Sequence, residues 1–141
     1  PVLIDYKSGK VEANELKLGE DWAEMLAQGK RPKALQLLVY SAIALRGLDV
    51  QGKRLPPGEA PDPHHPGVRS GIRSGRRASH GLLELNWQGA TAIPHALANT
   101  FLEWTAGQLE ALYCGEIAAL HQADSRYCPY CVVLDPPADY F

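Results

Sequence analysis

The sequence predicts an α/β domain, and three observations carry that expectation. The apolar run Val2-Leu3-Ile4 near the start is too short for a helix and suits a buried strand. Between residues 33 and 46, Ala34, Leu35, Leu38, Val39, Ala42, Ile43 and Leu45 recur at helical spacing with a wide apolar face. From about residue 94 to residue 114, Leu97, Ala98, Phe101, Leu102, Thr105, Leu109 and Leu112 repeat at three and four, which predicts a long C-terminal helix.

The other elements follow in order. Ser8-Gly9 closes the first strand as a turn. A short helix is expected near residues 20–28, around Trp22, Met25 and Leu26, ended by Gly29. Pro32 suits the first turn of the next helix, and Gly47 ends it. Residues 51–67 are rich in proline and glycine and read as a flexible loop that holds His64 and His65. Residues 68–74 can form a strand, weakened by Gly71. Residues 80–87 read as another, with Leu82, Leu83, Leu85 and Trp87 as its apolar positions. Pro94 opens the long helix and Gly115 breaks it, while Pro136-Pro137 end regular structure in the tail. Neither an internal repeat nor a low-complexity tract is present.

At 141 residues the chain fits a single domain with a substantial core. Its net charge of −2 gives no global attraction to nucleic acid, so any such binding must come from a local patch. Arg69, Arg73, Arg76 and Arg77 form a group that contains no acid and suits phosphate contacts; the bland alternative is a solvated loop. No apolar run reaches transmembrane length and no signal peptide is visible, so no membrane is expected among its partners. Three cysteines without a secretory mark favour reduced thiols and a cytoplasmic location. The chain opens at Pro1 directly into a strand, as a piece of a longer polypeptide would.

Asp5 and Lys7 lie two apart on the first strand, so both point to one face. A carboxylate there can bind Mg²⁺, a hard cation that takes oxygen ligands. The neighbouring ammonium can hold an attacking water or stabilise charge on a phosphate in hydrolysis. The plain alternative is an exposed ion pair of little energetic value. Gln36 and Tyr40 are four apart on the following helix and share one side of it.

Together these segments carry a resemblance. I-D-Y-K-S-G-K at residues 4–10 and Q-L-L-V-Y at residues 36–40 resemble the RecB-type branch of the PD-(D/E)xK nuclease superfamily. The strand near residues 68–73, Gly81-Leu82-Leu83, the long helix and the terminal Y-C-P-Y follow in the order of RecB-like and AddB-like C-terminal nuclease domains. The likeness spans nearly the whole chain and is strongest at residues 3–10 and 33–40. It implies a partial restriction-endonuclease-like core, a mixed β-sheet flanked by helices. The implied function is metal-dependent DNA hydrolysis, as exonuclease or endonuclease, within a helicase–nuclease-like DNA repair protein. By the same resemblance Asp5 and the Tyr6 carbonyl are ligands of Mg²⁺ or Mn²⁺, and Lys7 is the catalytic lysine. Gln36 orients that lysine or contacts the DNA backbone, and Tyr40 supports it; in such a fold Arg69, Arg73, Arg76 and Arg77 are expected within reach of the same DNA as Lys7.

The family site also uses an Asp on a preceding strand and often a His or Glu before that. None of the four residues before Asp5 is acidic or His. This chain alone is therefore expected to be inactive or nearly so. A sheet lacking those strands would expose an edge, which invites homodimerisation. The different-class alternative is a nuclease-derived structural or DNA-binding domain without catalysis. The expected partners are DNA and a helicase domain or subunit of the same repair complex.

Cys128-Pro-Tyr-Cys131 admits a redox pair, a zinc site with Cys114 and His121, or, by family resemblance, part of a [4Fe–4S] site. Aligned to the cluster-bearing pattern, Ser125 and Leu134 stand where the outer cysteines belong, and four thiolates are needed. Free thiols without an iron–sulfur cluster are the expectation. His80 and His95 read as structural or exposed.

Overall fold

The computed structural model describes residues 1–47, 53–56 and 66–115, the side chains of Arg77 and Ala78 excepted. The chain divides into two compact units, Pro1–Thr105 and Ala106–Phe141. The first unit is mixed α/β. Strand β1 (Val2–Lys7) is followed by a 3-10 turn (Ala13–Leu16), a short strand β2 (Lys17–Leu18) and helices α1 (Trp22–Ala27) and α2 (Pro32–Gly47). Strand β3 (Val68–Ser74) comes next, then a 3-10 turn (Gly75–His80) and the short strands β4 (Leu82–Glu84), β5 (Asn86–Trp87) and β6 (Ala92–Ile93). Helix α3 (His95–Tyr113) is the longest element and runs on into the second unit.

The principal sheet is mixed. β1 and β3 run parallel, with Val2 opposite Arg69, Asp5 opposite Ile72 and Lys7 opposite Ser74. Parallel neighbours need a crossover, and α2 lies between them in sequence. On its other side β3 pairs antiparallel with β4 at its C-terminal half and with β6 at its N-terminal half. Among the described residues β1 is therefore an edge strand and β3 is central. β2 and β5 form a separate parallel pair.

Alternation sorts the side chains onto two faces. Val68, Ser70, Ile72 and Ser74 of β3 are buried, while Arg69 and Arg73 are exposed. On β1 the half-buried set is Leu3, Asp5 and Lys7, and Val2, Ile4 and Tyr6 are exposed. The buried face meets α2 through Ala34, Leu37, Leu38, Ala42 and Leu45. Trp22, Phe101 and Trp104 close this core with ring centroids 5.6–6.2 Å apart, one pair tilted, one edge-to-face and one stacked, in the range where aromatic pairs are favourable. One polar contact is sealed inside. Ser41 Oγ donates to the Leu37 carbonyl at 2.8 Å and lies 3.0 Å from Ser70 Oγ, tying α2 to β3. At Gly71 a Cβ would come within 2.7 Å of the Leu83 carbonyl, so this position admits only a hydrogen.

Several expectations change in detail. The strand expected over residues 80–87 is two strands in two sheets. After Glu84 the Leu85 N–H makes a last bond to the Ser70 carbonyl of β3, Leu85 is buried completely, and the chain then joins β2. The first residue of that stretch, His80, belongs to the 3-10 turn. Helix α2 is less uniformly buried than its apolar residues suggest: Ile43 is 64% exposed, and Leu37 takes the core position. Most of residues 51–67, together with His121, Cys128 and Cys131, lie outside the described residues. Cys114 is exposed and free. No helix among the described residues is long and apolar enough to cross a membrane. In the second unit, Leu109, Leu112 and Tyr113 of α3 are exposed.

Candidate functional site

Asp5 and Lys7 stand at the C-terminal end of β1, on the face turned to α2. Lys7 Nζ lies 3.1 Å from Asp5 Oδ2, with the side chains about one-third and one-sixth exposed (33% and 17%). The two atoms are in ionic contact but not aligned as a hydrogen bond, and among the described residues the buried Asp5 Oδ2 has no hydrogen-bond partner. Among the described residues the Lys7 ammonium is thus the one group engaging this oxygen, which retains the capacity to accept a further partner.

Asp5 also lines an open groove of about 500 Å³ that runs between the end of the sheet and α2. Leu3, Ile4, Leu37, Tyr40 and Ile43 form its apolar walls, and Arg54 is a second charged residue on it. The helical spacing of Gln36 and Tyr40 brings them together: Gln36 Nε2 donates to Tyr40 Oη at 2.6 Å. The tyrosine hydroxyl accepts that bond, which leaves its own proton available.

Lys7 faces a smaller pocket of about 280 Å³ with Tyr6, Ser8, Arg73, Ser74 and Gly75. This pocket sits at the carboxyl ends of the parallel strands β1 and β3, a position where α/β sheets commonly bind ligands. Ser74 Oγ donates to the Gly9 carbonyl at 2.7 Å and so holds the turn that follows Lys7. Ser8, Ser74 and Gly75 carry no local signal in the sequence, because Ser74 and Gly9 are 65 residues apart.

The arginines separate. Arg69 is on the opposite face of the sheet from Asp5 and Lys7. Its Nε and Nη2 donate to the two carboxylate oxygens of Glu84 at 2.7 and 2.9 Å. The guanidinium holds the Glu84 carboxyl below the usual carboxylate range, and the same bond raises Arg69. Arg69 is thus already engaged by a bidentate partner. Arg73 and Arg76 are exposed and form no ion pair among the described residues. Arg73 reaches the pocket of Lys7. The Arg77 side chain lies outside the described residues.

Among the described residues no group of three His, Cys, Asp or Glu side chains could hold a metal ion. Among those same residues Asp5 is the one carboxylate of the groove, and the Tyr6 carbonyl follows it at the open edge of the sheet. An orphaned, buried Oδ2 fits one oxygen position of a Mg²⁺ ion, which usually takes one or two carboxylates and fills its shell with water and substrate phosphate. Compared with protein-family models, with curated proteins and with solved structures, the chain matches none.

Proposed function

We propose that this chain is the lysine-bearing part of a metal-dependent DNA nuclease of the PD-(D/E)xK type, with a partial restriction-endonuclease-like core. The observation that carries the reading is the Asp5–Lys7 ion pair at the end of β1, whose buried Oδ2 has no hydrogen-bond partner among the described residues, on a groove shared with Tyr40. Asp5 and the Tyr6 carbonyl would hold Mg²⁺ or Mn²⁺. When bound, the ion supplies Lewis-acid polarisation of the phosphate and a lowered pKa for a coordinated water. Lys7 positions the attacking water and stabilises the charge that develops on the phosphate oxygens. The Gln36–Tyr40 pair borders Asp5 and orients the polar end of the site. Arg73 and Arg76 neutralise DNA phosphates flanking the scissile bond; Arg69, held by Glu84, contributes less. Among the described residues, one carboxylate and one carbonyl leave the rest of the ion's shell to water and substrate phosphate, and a helicase-linked DNA repair assembly is the setting the resemblance implies.

Magnesium-dependent nicking of supercoiled DNA tests the reading. The chain should cut weakly, because one carboxylate holds the ion poorly, and Lys7→Ala and Asp5→Ala should each remove that cutting. Arg73→Ala with Arg76→Ala should weaken duplex binding and reduce its salt dependence by about one counterion for each arginine removed. Cutting that survives Lys7→Ala overturns the assignment. The single carboxylate also favours a second reading, a nuclease-derived DNA-binding domain without catalysis. It would bind duplex with the same arginine dependence and show no cutting above the Lys7→Ala background.

A further inference from the structure

The ladder between β1 and β3 ends at the pair Lys7–Ser74. Lys7 is the last residue of its strand, and the ends of elements are where local opening costs least. Beyond it lies the turn at residues 8–10, and side chains from two distant segments hold two successive carbonyls of that turn. Ser74 Oγ, from β3, donates to the Gly9 carbonyl at 2.7 Å. Lys33 Nζ, in the first turn of α2, lies 3.3 Å from the Lys10 carbonyl and 2.7 Å from Glu15 Oε1. The two ties differ in weight. Ser74 is 1% exposed, whereas the Lys33 side chain is 27% exposed and its contact with Lys10 is long. A contact of that length is weak and an exposed ammonium is screened, so Ser74 is the principal tie. Its residue type points the same way. Buried strand positions favour Val, Ile or Thr, and neither strand propensity nor apolar packing calls for a serine. Ser70, on the same face of β3, is equally buried, but its hydroxyl meets Ser41 of α2 instead.

We propose that Ser74 is a positioning residue for Lys7: through the Gly9 carbonyl it closes the end of β1 and so holds the Lys7 ammonium against Asp5. Partners across a ladder share a face, so Ser74 and Lys7 stand side by side on the face turned to α2. Without the Ser74 bond the Gly9 carbonyl turns to water and the last rung of β1 frays. Lys7 Nζ then leaves its 3.1 Å contact with Asp5 Oδ2. Lys33 limits how far the turn opens, because its own tie at Lys10 remains, anchored by Glu15. That this placement serves catalysis rests on the nuclease reading. The placement itself does not, and it needs neither metal nor DNA.

Proton–carbon NMR of the chain carrying isotope-labelled lysine, in EDTA and without DNA, reads the placement. The ε-methylene resonance of Lys7 is identified by its loss in Lys7→Arg. Asp5→Asn gives the position it takes when the ion pair is gone. Ser74→Ala should shift the resonance toward that position. Ser74→Thr, which keeps the hydroxyl, should leave it where the wild type has it. Ser70→Ala removes an equally buried hydroxyl from the same strand and should leave it unmoved, which separates positioning from a general loss of stability. In magnesium-dependent nicking, Ser74→Ala should lower kcat about tenfold or more at unchanged KM, because misplacing a reacting group is costly. A Lys7 resonance that Ser74→Ala leaves in place overturns the proposal. So does one that Ser70→Ala or Ser74→Thr moves as far, and so does cutting by Ser74→Ala at the wild-type kcat. A wild type that does not cut counts against the catalytic reading alone, and the resonance still decides the positioning. If Ser74→Ala does not fold, Ser74→Cys takes its place in the comparison, since a thiol keeps the volume but is only a weak donor.

Discussion

β1 and β3 are parallel neighbours in one sheet, and they solve opposite problems. β3 is flanked on both sides, by β1 and by β4 with β6. Three of its polar side chains are engaged, Ser70 with Ser41, Ser74 with the Gly9 carbonyl and Arg69 with Glu84, and Arg73 alone forms no ion pair among the described residues. Among the described residues β1 has one flank, exposes Val2, Ile4 and Tyr6, and leaves Asp5 Oδ2 without a hydrogen bond. Satisfied polar groups and full burial stabilise a fold. An acid on an accessible groove, held by one ion pair and no hydrogen bond at Oδ2, contributes less to stability and keeps capacity for a ligand. Stability should therefore reside in β3, and binding in β1.

The largest expected effect is at the centre. Ile72 is fully buried, and Ile72→Ala should lower unfolding free energy by about 2–5 kcal/mol in a urea titration. A cost below about 1 kcal/mol, within the range of surface substitutions, would break the assignment of stability to β3.

The second test concerns the sealed hydroxyl pair. Ser41→Ala should cost about 1–3 kcal/mol, because it strips Ser70 Oγ of its α2 partner inside the core. The double variant Ser41→Ala with Ser70→Ala should cost less than the sum of the two singles. Strict additivity in the double-mutant cycle would show that the two hydroxyls do not interact.

A smaller effect belongs to the turn between the strands. Lys33 Nζ reaches Glu15 Oε1 at 2.7 Å, and the Glu12 N–H donates to Glu15 Oε2 at 2.8 Å. Both hold the Glu15 carboxyl below its ordinary range, with the lysine as the larger cause. A depressed carboxyl stabilises the fold above its unfolded pKa, about 4.3, and loses that contribution as pH falls through the lower folded value. Glu15→Gln should thus be destabilised at neutral pH by less than about 1 kcal/mol, since the pair is partly solvent-screened. The difference from wild type should vanish in acid. A difference that grows as pH falls would reverse the sign of this linkage.

The smallest expected stability change is at β1 itself. Asp5→Asn should leave thermal stability within about 0.5 kcal/mol of wild type, or raise it, while abolishing magnesium-dependent cutting. A loss as large as that of Ile72→Ala would place Asp5 among the structural residues and erase the contrast between the strands.

The elements most legible in the sequence are those whose signals are local. Pro32 and Gly47 bound α2, and β3 occupies the run from Val68 to Ser74 despite Gly71. The structure explains that glycine by the close approach of the Leu83 carbonyl. Gln36 and Tyr40 meet because helical spacing alone brings residues four apart together. The stretch from His80 to Trp87 was not legible as built. Its apolar residues mark a strand but carry no sign that Leu85 turns fully into the core and moves the chain to a second sheet. Nor does the cluster of arginines reveal that Arg69 is committed to Glu84, because that pair meets only through the β3–β4 register.

The sequence by itself determined the α/β class, the helix boundaries and the shared face of Asp5 and Lys7. Each follows from backbone periodicity and from proline and glycine, which act over a few residues. Only the tertiary structure decided that β1 is an edge among the described residues, that Asp5 pairs with Lys7 on a groove shared with Tyr40, and that Arg69 lies on the opposite face of the sheet. Those outcomes depend on which distant segments meet. Strand order and register are set by the packing of the whole core, not by any local stretch of chain.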